Sequence, residues 1–325
     1  METQDSFQNR VNLEPLSQGI QTVRETIGKV IVGQKKTVDL LLVAALADGH
    51  VLLEGVPGIA KTLMSKLLAK SLSSGFSRIQ FTPDLMPSDI LGTSVYNMKT
   101  SEFEFKKGPV FANIILIDEI NRAPAKTQAA LFEVMEERQV TVEGKTWPME
   151  SPYLVLATQN PIEQEGTYRL PEAQLDRFLF KVVMDYPNLE EEVSILENHL
   201  QWKGDPLDDV QPVLTAEQIA SFRKLIREIL VEQNLLKYIA DIIGQTRKDP
   251  SLYLGASPRA SIALLNSSRA YAALQGRDFV TPEDIKFLAV PVLQHRILLT
   301  PERELEGVTV AETIQQLVNK VEVPR

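Results

Sequence analysis

The stretch "GVPGIAKT", Gly55 to Thr62, sets a lysine beside a hydroxyl residue behind a glycine-bearing turn. An apolar run precedes it and a helical pattern, "LMSKLLAKSL", follows. In a strand–turn–helix of this kind, backbone N–H groups and the helix N-terminus present partial positive charge to an anion. Lys61 would reach the outer phosphates of a nucleotide, and the Thr62 hydroxyl would bind Mg²⁺. Gly55, Val56, Pro57, Gly58, Ile59, Ala60 and Leu63 would complete the cradle. One residue breaks the usual G-x-x-x-x-G-K-S/T pattern: Ala60 stands where the second glycine belongs. A solvated strand-to-helix corner would use the same residues, so the decision passes to the rest of the chain.

The run "ANIILIDEINRAP" places Asp118 and Glu119 directly after four apolar residues, Ile114 to Ile117. Paired carboxylates at the end of a buried strand need a cation or a proton-transfer role to offset their repulsion. Asp118 suits the water shell of Mg²⁺, and Glu119 suits a base that activates water. A third apolar run, "YLVLATQNP", ends in Gln159 and Asn160. Ligands of parallel sheets sit at strand carboxyl ends, which puts Asn160 in reach of an attacking water. Asn-Pro is also a turn former, and the two uses are compatible. Two arginines complete the set. Arg177 lies just before the apolar run "FLFKVVM". Arg259, in "GASPRAS", falls in the first turn of a helix, where the dipole disfavours a cation unless an anion compensates.

Composition narrows the chemistry further. With no cysteine among 325 residues, thiolate metal sites, disulfides and cysteine nucleophiles are excluded. His50, His199 and His295 are scattered without metal-ligand spacing and read as packing or surface residues. The net charge of −9 and the lack of a Lys/Arg run speak against nucleic acid as a partner. The longest apolar run, "LLLVAALA", is far short of the ~20 residues that span a bilayer. The polar start "METQDSFQNR" lacks a signal-peptide core, so a cytoplasmic protein without membrane insertion is expected.

These residues need elements to position them. Five apolar runs ("HVLLEG", "RIQFTP", "NIILIDE", "YLVLATQ" and "FLFKVVM") alternate with helical patterns, as buried strands of a parallel α/β sheet do. After Asp185 the pattern becomes all-helical. Asn188 with Glu191 and Thr215 with Gln218 have capping-box spacing. Ser257-Pro258 and Thr281-Pro282 each pair a capping residue with a first-turn proline. The division expected is a nucleotide-binding core over 1–187 and a helical domain over 188–325. Two hairpins, Gly92 to Gly108 and Gln139 to Trp147, interrupt the core as insertions. Their aromatics Phe103, Phe105 and Trp147 suit either partner anchors or packing.

Together "GVPGIAKT", "LIDEINRAPAKTQAALFEVMEERQVTVEG", "ATQNPIEQEGTYRLPEAQLDRF" and "GASPRAS" resemble the MoxR family of AAA+ ATPases, from about Ile31 into the C-terminal helices. The resemblance implies a P-loop α/β core with an all-α lid. It implies ATP and Mg²⁺ as ligands, and Ala60 as the family's own variant of the loop. Lys61 and Thr62 correspond to Walker A, and Asp118 and Glu119 to Walker B. Asn160 matches sensor 1, Arg177 the arginine finger and Arg259 sensor 2. "VIVGQ", with Val32 and Gly33, resembles the segment that packs by the adenine. Arg169 stands where proline is expected, which leaves open whether Arg169 or Arg177 reaches the neighbouring subunit. The family relation further implies a homo-oligomeric ring, a hexamer. It also implies a protein client, such as one carrying a von Willebrand factor A domain. A magnesium-chelatase-like subunit is the nearest rival, and a nucleic-acid motor a more distant one.

Overall fold

The computed structural model describes residues 11–56, 58–160, 168, 170–202 and 204–324. Helices α1 (Glu14–Gly28) and α2 (Lys35–Leu46) lead into strand β1 (His50–Glu54) and helix α3 (Lys61–Ser71). Strand β2 (Phe76–Gln80) and helix α4 (Pro87–Leu91) precede the hairpin β3 (Gly92–Asn97) and β4 (Glu102–Lys107). Then come β5 (Ile114–Asp118), α5 (Ala125–Glu137), the hairpin β6 (Gln139–Val142) and β7 (Lys145–Pro148), β8 (Leu154–Gln159), the short α6 (Glu172–Leu175) and β9 (Phe178–Val183).

The five expected apolar runs form one parallel sheet in the order β2-β5-β8-β1-β9. Their side chains alternate between two cores. Val51, Leu53, Leu116 and Leu156 face α1, α2 and α3. Leu52, Ile115, Ile117, Val155 and Ala157 face a second core that includes Leu131 and Phe132 of α5. Burial on both faces is why the central strands β1, β5 and β8 read as continuous apolar runs, whereas the edge strand β2 buries only Ile79. The chain runs from β1 to the far edge at β2, returns through β5 and β8, and passes β1 to reach β9, so the carboxyl ends of β5, β8 and β1 lie side by side. Ligands of parallel sheets bind at such ends.

Beyond β9 the chain is helical: α7 (Leu189–Gln201), α8 (Ala216–Arg227), α9 (Gln233–Thr246), α10 (Pro258–Leu274), α11 (Pro282–Leu293), α12 (Pro301–Leu305) and α13 (Val310–Lys320). One short antiparallel pairing, Leu252–Leu254 with Leu298–Leu299, is too brief to leave a period in the sequence. The boxes at Asn188 and Thr215 form as spaced, with Glu191 N–H donating to Asn188 Oδ1 at 3.0 Å and Gln218 N–H to Thr215 Oγ1 at 3.3 Å. At Thr281 the carboxylate of Asp284 accepts the Thr281 N–H at 2.8 Å. Ser257 behaves differently. Its hydroxyl makes no cap bond and donates instead to Asp176 Oδ2 of the core at 3.0 Å.

Both hairpins are present. The β6–β7 turn uses positive φ at Glu143 (51°) and Gly144 (74°), the backbone twist that suits a two-residue hairpin loop. The aromatic question divides. Phe105 stacks on Trp147 at 5.3 Å and meets Phe111 edge-on at 5.9 Å, so these rings join the two hairpins to each other and to the core. Phe103 pairs only with Tyr96 near the tip and stays 64% exposed.

Candidate functional site

At the carboxyl end of β1 the chain passes so close to β9 that a Cβ on Gly55 would lie 2.8 Å from the Met184 carbonyl oxygen. Any larger residue would push the two strands apart. The loop then turns through positive φ at Gly58 (88°) and Ala60 (61°), and α3 starts at Lys61. The position of Ala60 is left-handed, which explains why the usual pattern has glycine there. Alanine occupies that region at a cost of roughly 1–2 kcal/mol. Pro57 lies outside the described residues.

The Lys61 ammonium folds back to donate to the Gly55 carbonyl at 2.7 Å. Partial burial lowers its pKa, while Asp118, Glu119 and Glu54 oppose the shift. Lysine and carboxylates therefore share one electrostatic environment although their segments are far apart in sequence. Asp118 is buried at the end of β5; its Oδ2 lies 2.6 Å from Arg78 Nε, and Thr158 Oγ1 donates to its Oδ1 at 3.4 Å. Glu119 is held in the left-handed region, φ 57° and ψ 55°. Its N–H donates to Thr158 Oγ1 at 2.9 Å. Its carboxylate accepts from Gln80 Nε2 at 3.0 Å and from Arg122 Nε at 2.9 Å. A non-glycine residue held at positive φ stores strain of about 1–3 kcal/mol, which the surrounding bonds must over-determine.

The two carboxylates are thus already compensated by Arg78 and Arg122, an answer to their repulsion that the sequence does not display. The donor set still fits Mg²⁺ delivered with phosphates. Among the described residues no group of three or more His, Asp or Glu side chains could hold a metal by itself. Mg²⁺ in phosphate sites needs only one or two protein groups besides substrate oxygens and water. Thr62 in the first turn of α3 and Asp118 at the end of β5, separated from β1 by β8, can supply them. Asn160 is buried directly after β8, the strand between β5 and β1.

Val32 and Gly33 lie between α1 and α2. Gly33 has φ 79°, and the Glu191 carboxylate fills the space a Cβ would take, 2.6 Å away. Gln34 Nε2 donates to the Asp185 carbonyl at 3.2 Å. This segment is therefore pinned to the connection between β9 and α7.

The two arginines fall elsewhere, and together. Glu136, at the end of α5, lies 2.8 Å from Arg259 Nη2 and 3.7 Å from Arg177 Nε. Glu136 is the anion that offsets the unfavourable place of Arg259 in the first turn of α10. Beneath them is a clamp: Arg296, buried, holds Asp176 at 2.6 Å and donates to the carbonyls of Asp176 and Phe178. Ser257 reaches the same carboxylate, so residues adjacent to both arginines are tied to one point. Arg169 lies outside the described residues. Sequence reasoning misses Arg78, Gln80, Arg122, Thr158, Glu136 and the Asp176–Arg296 pair. Only Thr158 leaves a trace, as a polar residue near the end of the apolar strand β8.

Comparison with known proteins agrees with this architecture. Residues 50–180 match the model of the ATPase family associated with various cellular activities, and residues 244–317 match that of the AAA lid domain. The chain is 49% identical to the protein YeaC of Bacillus subtilis over 300 residues, covering 92% of this chain and 93% of that one. It is 42% identical to Chaperone MoxR1 of Mycobacterium tuberculosis over 324 residues, covering 96% and 85%. The crystal structure of a candidate ATPase from Cytophaga hutchinsonii superposes with a TM-score of 0.89 at 43% identity, covering 97% of each chain.

Proposed function

The chain belongs to the MoxR family of AAA+ ATPases, and we propose that it hydrolyses ATP with Mg²⁺ in an oligomeric ring that remodels or matures a client protein. The observation that carries this reading is the placement of the Lys61 loop, Asp118 and Asn160 after the carboxyl ends of three adjacent strands, β1, β5 and β8. Lys61 and the loop amides of Gly55 to Leu63 hold the phosphates, while Val32 and Gly33 border the base. Thr62 and Asp118 would hold the metal, which would supply charge neutralisation at the phosphate oxygens. Glu119 takes the proton from the attacking water, and Asn160 orients that water. Arg177 and Arg259 share Glu136, and we assign both to the nucleotide of the next copy, where a guanidinium stabilises charge on the transferring phosphoryl group.

Assembly is supported by α7. None of its 13 residues is buried. Leu189, Val193, Leu196 and Leu200 form a stripe at helical spacing and are 47–85% exposed. The same helix carries Glu190, Glu191, Glu192 and Glu197 and no Lys or Arg, which complements the arginine patch of a second copy. Head-to-tail contacts of this kind close into rings. The name of the Mycobacterium relative supports a chaperone role, and the exposed Tyr96, Met98 and Phe103 at the β3–β4 tip suit client contact. A boundary at 187/188 suits the gap between β9 and α7. No helix among the described residues is long and apolar enough to cross a membrane, in keeping with a cytoplasmic site of action.

The direct test is ATP turnover with Mg²⁺ and with a chelator, alongside titration of a fluorescent ATP analogue. Phosphate release that needs Mg²⁺, and severe loss of binding in Lys61→Ala with the fold intact, are expected. Wild-type affinity in that variant would remove the loop from the site.

A further inference from the structure

At the amino ends of the central strands, the end of α2, the segment before β8 and the helices α8 and α10 enclose a cleft of about 280 Å³. Its polar lining is almost entirely hydrogen-bond donors: Ser151, Arg223, Lys224, Arg227, Asn266 and Arg269. The carboxylate that lines it is Asp48, and it is already engaged, 3.0 Å from Arg223 Nη1 and 3.4 Å from Arg138 Nη2. Arg223 also donates to the Ala45 carbonyl at 3.0 and 2.6 Å, capping the end of α2. Lys224, Arg227 and Arg269 make no ion pair among the described residues, and the Nε of Arg269 is buried without an acceptor.

Five cations around one carboxylate run against the trend of a chain with net charge −9. The helix dipole accounts for Lys224 and Arg227 in the last turn of α8. It does not account for the Arg269 guanidinium nitrogen that is buried with no acceptor, an arrangement that costs free energy. Burial weakens the hold of Arg223 on its proton, Asp48 offsets part of this, and Arg138 and Arg227 push the same way as burial.

We propose that this cleft binds a small, multiply charged oxyanion of the phosphate class, bridging core and lid. Its volume falls just below the ~300–1,000 Å³ of sites for drug-sized ligands, and none of its lining residues is aromatic, so a nucleobase is not the recognised group. Leu46 to Asp48 precede β1 and Ser151 precedes β8, whereas the candidate nucleotide loop follows β1. Five residues of strand at about 3.3 Å each separate the two sites by roughly 15 Å.

Inorganic tripolyphosphate is the probe, titrated calorimetrically without Mg²⁺ into the full-length Lys61→Ala chain, in which the strand-end loop is disabled. Binding is expected, and it should weaken as NaCl is raised. On the same background, Lys224→Ala with Arg227→Ala should reduce affinity at least tenfold, as should Arg269→Ala. Lys224 and Arg227 are exposed, so their removal leaves the fold intact and decides the matter even if the Arg269 variant does not fold. No uptake at millimolar tripolyphosphate, or unchanged uptake in the Lys224/Arg227 variant, overturns the site. Retained ATP binding in a Lys224/Arg227 variant with Lys61 intact separates this result from any failure of the strand-end loop.

Discussion

The strand ends and the Glu136 patch both assemble opposite charges, by different means. At the strand ends the groups sit on neighbouring strands whose register fixes them: Gln80 pairs with Asp118 across β2 and β5, and Ile117 with Ala157 across β5 and β8. Arg78, Gln80 and Thr158 then need only short reaches. At the patch, Arg177 comes from the core, Arg259 from the lid, and both depend on how the lid docks through Asp176 and Arg296. The first arrangement is pre-organised within one sheet. The second joins residues of the core helix α5, the start of β9 and the lid helix α10, so its geometry depends on the docking of one part on the other.

Substitutions can test that contrast. Arg177→Ala should bind ATP almost normally while its turnover falls ~10³–10⁵-fold, the usual loss for a finger arginine. Mixing it with Lys61→Ala subunits should restore part of the activity, since each supplies what the other lacks. If both variants assemble and mixing restores nothing, the patch does not serve a second copy, and the contrast collapses. Arg169→Ala is the control for the neighbouring arginine.

Asp176→Ala removes the partner of a buried arginine, and breaking such a pair costs about 3–5 kcal/mol. Urea unfolding should show the loss, with ATP-analogue affinity at the strand ends largely retained in the folded fraction. Equal loss of stability and of affinity would mean that the two regions are one unit. Glu119→Gln should lower turnover by ~10²-fold or more with ATP still bound. Normal hydrolysis in this variant would remove Glu119 as the base.

Each region also rests on a buried neutral histidine. Under the strands, His50 Nδ1 accepts the Val155 N–H at 3.0 Å, and its Nε2 lies 3.2 Å from the Met135 carbonyl. Under the clamp, His295 Nε2 lies 2.9 Å from the Phe178 carbonyl. Burial first, and nearby cations second, hold both pKa values well below 6.5. Below that unfolded-state value the unfolded chain binds the extra protons. Stability should therefore be full above pH ~6.5 and fall as pH drops, by up to about 1.4 kcal/mol per unit for each histidine. Thermal melts across this range should show it, and the slope should shrink in His295→Gln. A pH-independent midpoint would contradict buried neutral rings. The smallest effect is expected from Ala60→Gly, which relieves the left-handed strain and should raise stability by about 1 kcal/mol or less, read from the urea midpoint.

Much of the core was legible because buried parallel strands and capping boxes leave local, periodic marks: four of the five strands and the caps at Asn188 and Thr215 stand where the sequence puts them, while the edge strand β2, only partly buried, begins at Phe76 and ends at Gln80 rather than running on through "FTP". Asp118 and Asn160 are conspicuous as polar residues ending apolar runs, and Lys61 as the cation of a glycine-bearing turn that opens a helical pattern. The Phe105–Trp147 stack was open until the tertiary structure chose packing, because period-2 alternation says which face a ring takes and not what meets it. Sequence alone also singled out Arg259 as a cation in the wrong helix turn, yet could not supply its partner. Glu136 is one carboxylate among several on an exposed helix end, and only the docking of the lid brings it within 2.8 Å. Local free-energy preferences are written in neighbouring residues and survive in the sequence. Contacts between distant segments depend on where the whole chain folds back, and those the tertiary structure alone decided.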